Sequence, residues 1–332
     1  MILNFVGLFN QSPGTGEISD ETPRARSIEE LGHTVRRIPR DEWREYVIEN
    51  LPSGKYPNIP DDLTCDFNLF AKWHQFFDGS FIRQLKGMTG GAPTFLWVWD
   101  YMQDGVIPAW HLSQVQASDL YLGNDVRNPA YMGMKNCYYF PFDVADENLD
   151  TWLNLKPDYI NQVAFFGSCI DQGDRKEWLQ TIDKVFPVKI YASNYKDWQK
   201  LGLYASPAVY GNVFNKLVSQ TKINLGFSVY PSCWGYWSNR TGKTLLAGGF
   251  LLQQYAPGME QVFGNCIKYF SSPEEAIEKI KYYLEHDQER EAVRGKGHIL
   301  GRKKFSSKQR VKELMILAER YLKDNRKELW QL

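Results

Sequence analysis

The residues best suited to chemistry lie in the stretch Tyr236-Trp237-Ser238-Asn239-Arg240-Thr241-Gly242-Lys243-Thr244. Ser238 or Asn239 fits a helix N-cap, which places Arg240 in the first turn and Lys243, three residues on, on the same face. Two cations and the positive end of a helix then converge on one spot. Like charges at that spacing repel unless an anion bridges them, so the pattern suits a pyrophosphate; separate surface ion pairs are the alternative. Gly242-Lys243-Thr244 imitates the end of a P-loop, but the preceding glycine is Gly235, too far upstream for G-x-x-x-x-G-K-T, and ATP hydrolysis is not indicated.

Four other turns follow expected strands, where open parallel sheets bind ligands. Phe165-Phe166-Gly167-Ser168, with Arg175 beyond it, could cradle a phosphate with its backbone while the arginine neutralises it. Pro257-Gly258-Met259-Glu260 is a tight turn whose N–H groups and carboxylate could hold sugar hydroxyls, or simply cap a helix. Phe95-Leu96-Trp97-Val98-Trp99-Asp100 delivers a carboxylate beside tryptophans, either a base or a residue that caps the next segment or pairs with an arginine. Gly14-Thr15-Gly16 lacks the third glycine of a dinucleotide fingerprint and reads as a ligand loop or an ordinary turn. Trp234 and Trp237 flank the first stretch and could stack on a base or sugar, or pack in the core.

The five histidines are dispersed without metal-ligand spacing, and no metal site is expected. His286 and His298 read as surface helix residues, and His111 as a solvent-facing or capping one. Five cysteines, odd in number and without a C-x-x-C pair, argue against a disulfide framework and point to a reducing cytoplasm.

These residues must be held by a scaffold that the rest of the chain describes. In 332 residues, 39 Lys plus Arg balance 39 Asp plus Glu, so no global charge recruits a polyanion. Arg36, Arg37, Arg40 and Arg44 form at most a local basic patch, read as a solvated helix face or as a nucleic-acid contact. Hydrophobic residues make up 43% with no membrane-length apolar run, and the apolar start has neither a basic leader nor a cleavage site.

Short apolar runs alternate with helical stretches throughout, as parallel sheets built from βα units require. One set of strands is expected near Leu3 to Phe9, His33 to Ile38, Cys65 to Phe70, Thr94 to Trp99, Leu120 to Gly123 and Cys137 to Phe142. A second runs through 163–168, Val188 to Ala192, Ile223 to Ser228, Phe250 to Gln254 and Cys266 to Phe270. Ser272-Pro273-Glu274-Glu275 marks a helix start by N-cap, proline and capping-box glutamate. The expected organisation is α/β: a domain over 1–145, a polar linker over 146–160, a second domain over 161–305, and a helix over 306–332 that packs back on the first. The two sheets are expected to face each other across a cleft.

Ser-Asn-Arg at 238–240, Leu-Leu-Ala-Gly-Gly-Phe-Leu-Leu at 245–252 and Pro-Gly-Met-Glu-Gln-Val-Phe at 257–263 together resemble the donor half of GT-B glycosyltransferases, specifically the CgeB-like spore-protein group. The helix after Ser272, the Arg290 region and Val163 to Ser168 with Arg175 share the resemblance. It implies two Rossmann-like domains and metal-independent transfer of a hexosyl or pentosyl group from a nucleotide-sugar co-substrate, a UDP-sugar first among them, to an acceptor held by the first domain. No other cofactor is implied. By this resemblance Arg240 neutralises the diphosphate, Gly167 and Ser168 approach it, Arg175, Ser238 and Lys243 line the donor site, and the Gly258, Met259 and Glu260 turn meets the sugar. Gly14 to Gly16 would be the acceptor-side loop; Asp100 would be the base if the enzyme inverts, and positional if it retains and the donor phosphate takes that part. Lys243 stands where many relatives place a ribose-binding glutamate. A small molecule, glycan, protein or modified DNA base would all serve as acceptor; a nucleotide-sugar-binding protein without turnover and a sugar epimerase are the competing readings.

Overall fold

The computed structural model describes residues 1–9, 21–49, 59–71, 78–98, 107–124, 126–127, 134, 136–141, 143–144, 158–171 and 173–324. Two compact units emerge, one of Met1–Ala145 with Ser307–Leu332, the other of Asp146–Ser306.

The described part of the first unit runs β1 (Ile2–Gly7), α1 (Glu21–Glu30), β2 (Thr34–Pro39), α2 (Arg40–Glu49), β3 (Phe67–Ala71), α3 (Gly79–Met88), β4 (Thr94–Val98), α4 (Ala109–Ala117), β5 (Leu120–Gly123) and β6 (Cys137–Tyr139). The strands form one parallel sheet in the order β2-β1-β3-β4-β5-β6. β3 and β4 are buried along their whole length, which is why Phe-Asn-Leu-Phe-Ala and Thr-Phe-Leu-Trp-Val read as apolar runs rather than alternating ones. The last helix, α12 (Ser307–Lys323), belongs to this unit. It buries Val311, Leu314, Met315 and Ala318, and Tyr321 meets Phe95 edge-on at 5.3 Å.

The second unit contains β7 (Asn161–Phe166), α5 (Arg175–Asp183), β8 (Val188–Ala192), α6 (Tyr195–Lys200), β9 (Ala205–Pro207), α7 (Gly211–Ser219), β10 (Thr221–Gly226), α8 (Asn239–Leu246), β11 (Leu251–Gln254), α9 (Met259–Phe263), β12 (Lys268–Phe270), α10 (Pro273–Glu285) and α11 (Asp287–Lys304). Its sheet is also parallel, in the order β12-β11-β10-β7-β8-β9. Phe165, Ile190, Trp198, Leu225, Phe227 and Leu252 fill one core with Leu179 and Ile182 of α5. Val218, Ala247, Ala164 and Phe166 pack on the opposite face. α10 starts as its sequence requires: Ser272 Oγ accepts from Glu275 N at 3.2 Å, and Glu275 Oε2 accepts from Ser271 N at 2.6 Å.

Several expectations need correction. β9 was not anticipated, because it is three residues long and ends in a proline that only an edge strand accommodates. β6 stops at Tyr139, short of Phe142. Arg36 and Arg37 lie in β2 and pair with Asp62 and Glu29, so of the four arginines only Arg40 and Arg44 lie on a helix, α2. His298 is buried, with Nδ1 at 3.2 Å from Leu245 O. Trp237 is core, edge-on to Phe263 and Phe305. None of the five cysteines forms a disulfide, and among the described residues no helix is long and apolar enough to cross a membrane.

His111 is neither solvent-facing nor a cap. It is fully buried, with Nδ1 at 3.2 Å from Gln114 Oε1 and its ring edge-on to Tyr121. Burial pushes its pKa down to about 4, so folding favours the neutral ring. That stability is complete above about pH 6.5 and is lost as the pH falls toward the folded value. Melting temperature should drop over this interval, and drop less in His111→Gln. Identical acid limbs for the two proteins would clear His111 of the effect.

Candidate functional site

β11, β10 and β7 are neighbours in the second sheet, and the segments leaving their carboxyl ends carry most of the residues singled out above. β7 leads into Gly167-Ser168 and then α5, whose first residue is Arg175. The segment after β10 leads to α8, whose second residue is Arg240.

Both guanidiniums settle on one aromatic ring. Arg175 Cζ lies 5.4 Å from the Phe165 centroid and Arg240 Cζ 5.1 Å from it. Arg175 is 3% exposed; its Nη1 donates to Ser168 O at 3.0 Å, while its Nε is buried with no hydrogen-bond partner. Arg240 is half-buried, and its Nη1 is sealed from solvent, also unpartnered. Among the described residues neither forms an ion pair with a carboxylate. Burial and then the charge of Arg175 push Arg240 down to about 9, and burial pushes Arg175 down to about 10. Both remain cations at neutral pH, held together at the start of a helix whose own end is positive. Such a pair is stabilised by an anion with charge to spare. Tyr236, buried, lies within electrostatic reach of both.

Arg175, not Lys243, is thus the cation acting on Arg240; Lys243 sits half-buried further along α8. Ser238 is the N-cap of α8, but its hydroxyl makes no capping bond, and Asn239 Oδ1 beside it is buried without a partner. Gly167 has a different task from the one expected. Its N–H donates to Tyr191 O at 2.9 Å and so is not offered to a phosphate. A Cβ there would stand 2.8 Å from Arg240 Nη2 and 2.6 Å from Phe165 Cζ, so the missing side chain makes room for the guanidinium. Ser168 contributes its carbonyl to Arg175, and its Oγ lies 3.3 Å from Ser193 Oγ.

Gly258, with φ +84°, is the N-cap of α9, and a Cβ on it would fall 2.4 Å from Trp234 Nε1. Conformation and contact both demand glycine. Gly235 N donates to Pro257 O at 2.7 Å, tying the segment before α8 to this turn. Met259 is fully buried, which corrects its place among the ligand contacts. Glu260 is exposed and accepts from Tyr255 OH at 3.1 Å. Asp100, Gly14, Thr15 and Gly16 lie outside the described residues.

Residues 175–316 match the family described as Glycosyl transferase-like. No curated protein matches the chain in sequence. Among solved structures, a glycosyltransferase from Rickettsia africae ESF-5 superposes with a TM-score of 0.65 at 12% identity, covering 97% of this chain and 99% of that one. Sucrose-phosphate synthase from Thermosynechococcus elongatus gives 0.65 at 8% identity with the same coverage. Anabaena HepE in complex with UDP-glucose gives 0.63 at 11% identity, covering 95% of this chain and 99% of that one. The chain has the GT-B glycosyltransferase fold.

Within this GT-B unit, sequence reasoning overlooked four buried polar residues: Ser228, Thr241, Gln253 and Gln254, each 1 to 2% exposed. The signal was available. Phe250-Leu251-Leu252 is an apolar run that ends in two consecutive glutamines, and a buried parallel strand has no use for two amides unless something nearby needs them. Tyr236 gave no such signal, since its place beside both arginines depends on the fold.

Proposed function

We propose that the chain transfers a sugar from a UDP-sugar, held by the unit of Asp146–Ser306, to an acceptor hydroxyl, and that it does so without a metal. The reading rests on one observation: two guanidiniums, with buried N–H groups left unpartnered, share the Phe165 ring at the start of α8. A nucleoside diphosphate is a leaving group of matching charge. As the anomeric carbon–oxygen bond breaks, its electron pair stays on the diphosphate, and fixed cations stabilise that charge better in the transition state than in the ground state. Arginine supplies the positive charge that a divalent cation supplies elsewhere. The GT-B fold and the UDP-glucose complex of Anabaena HepE support the choice of donor. Glu260, exposed at the Gly258 turn, is the group assigned to the sugar hydroxyls.

Thermal melts in EDTA with UDP, UDP-glucose, GDP and ADP test the reading. A ligand that binds only the folded protein raises the melting temperature by mass action, so UDP and UDP-glucose should do so at submillimolar concentration. UDP-glucose should also release UDP slowly when water is the only acceptor. A panel in which no nucleoside diphosphate shifts the melt would end the donor reading, and a shift appearing only when magnesium is restored would end metal independence.

A further inference from the structure

Arg175 and Arg240 stand on different helices, and a single line of hydrogen bonds runs between those helices through the end of β11, buried from Thr241 to Gln254 and reaching exposed Asp174 at its far end. From α8, Thr241 Oγ1 donates to Gln253 Oε1 at 3.2 Å. Gln253 Nε2 donates to Gln254 O at 3.1 Å and, more weakly, to Ser228 Oγ at 3.4 Å. Ser228 N donates to Gln254 Oε1 at 3.1 Å, and Gln254 Nε2 donates to Asp174 Oδ2 at 3.1 Å. Asp174 is the N-cap of α5, immediately before Arg175.

Successive strand residues point to opposite faces, so the two glutamines serve the two sides of the sheet. α5 packs with Val163 and Phe165, and Ala247 after α8 with Ala164 and Phe166. Gly226 leaves the path open, because a Cβ there would fall 2.1 Å from Gln253 Oε1. Leucine would fill this volume with no polar group to satisfy, as it does at Leu251 and Leu252. Amides are costly to bury unless every bond is made, and when all are made they fix one geometry. The Gln254 amide accepts from Ser228 N through Oε1 and donates to the Asp174 carboxylate through Nε2 at once.

We propose that Gln253 and Gln254 form a relay that sets the spacing of Arg175 and Arg240 for a diphosphate, which makes Gln254 a positioning residue. The proposal rests on the donor reading above. Asp174→Asn combined with Gln254→Glu reverses the last bond of the relay while keeping the net charge of the site.

Calorimetric titration of the full chain with UDP separates the cases. Gln254→Glu sets a carboxylate against Asp174 and should weaken UDP about tenfold, and the exchanged pair should return to within about threefold of the parent. A mere packing role would not respond to the exchange. Equal affinity in Gln254→Glu and the parent, or an exchanged pair as weak as the single variant, overturns the relay. Should Gln254→Glu fail to fold, Thr241→Val tests the other end, with about fivefold weaker UDP expected and parental affinity again decisive against. If the parent does not bind UDP, or Arg240→Ala binds it equally well, the donor reading itself falls and the relay with it.

Discussion

Arg240→Met is expected to weaken UDP binding by roughly 30-fold or more while leaving the ligand-free protein at least as stable as the parent. In most proteins an arginine this enclosed answers a carboxylate, and removing it strands the partner. Among the described residues Arg240 has no carboxylate to strand: the charge that acts on it most strongly is that of Arg175, another cation, and Nη1 has no acceptor. The ligand-free protein therefore bears desolvation and repulsion together, and a methionine of similar length relieves both while keeping contact with the Phe165 face. The liganded protein loses a charge-assisted contact to phosphate in a water-poor site, on the order of 2 to 5 kcal/mol, or roughly 30-fold to several thousand-fold in affinity. Calorimetry of UDP binding and melts of both proteins in the same buffer give the two numbers. A large fall in melting temperature with UDP affinity retained would show that Arg240 is structural. Arg175→Met should behave differently, because Arg175 also holds Ser168 O through Nη1; it should lose stability along with affinity. A group whose removal stabilises the empty protein and disables the filled one is the mark of a binding site kept at a cost in stability.

The scaffold was largely legible because buried parallel strands write themselves as apolar runs. Phe67–Ala71 and Thr94–Val98 are such runs, expected at Cys65 to Phe70 and Thr94 to Trp99; Val188–Ala192 is legible instead by its alternation, and α10 by four adjacent residues at its start. Both signals are local. The site was legible only as far as its parts are local too. Arg240 could be put in a first helical turn, but its companion was sought one turn away at Lys243, where helical periodicity points. The true companion, Arg175, is brought in by the pairing of β10 with β7, a register no short window contains. Gly167 was assigned a phosphate because glycine before a helix often serves one. Its actual duty, leaving space for Arg240, follows from a tertiary contact. Met259 was swept in with its neighbours Gly258 and Glu260, although an apolar residue at the first position of a short helix has the core within reach. β9 was missed for the opposite reason, since three residues ending in proline carry too little pattern to declare a strand.

Asp143→Ala is expected to produce the largest loss of stability, and to do so in the unit that does not hold the arginine pair. Asp143 and Arg24 are each 1% exposed at their side chains. Asp143 Oδ1 accepts from Arg24 Nε at 2.6 Å and from Arg24 Nη2, and Oδ2 accepts from Ser307 Oγ at 2.6 Å. Ser307 is the first residue of α12, and its N–H also donates to Val144 O at 3.0 Å. One carboxylate therefore joins α1, the segment beyond β6 and the helix that closes the unit. Arg24 also lies over the Trp97 ring at 4.7 Å, so it has no room to turn toward water. Removing the carboxylate takes away the charge that meets this buried guanidinium at two nitrogens and should cost about 3 to 5 kcal/mol. For a unit of this size that lowers the melting temperature by roughly 6 to 20 °C. Ser307→Ala removes one hydrogen bond and should cost only about 1 kcal/mol. Replacing both charges, Arg24→Met with Asp143→Leu, should recover much of the loss, because the pair is costly to break but is not the cheapest way to fill the space. A double variant no more stable than Asp143→Ala would mean that the charges specify the packing of α12 as well as stabilise it. A single variant that melts with the parent would mean that the pair contributes nothing to holding this unit together.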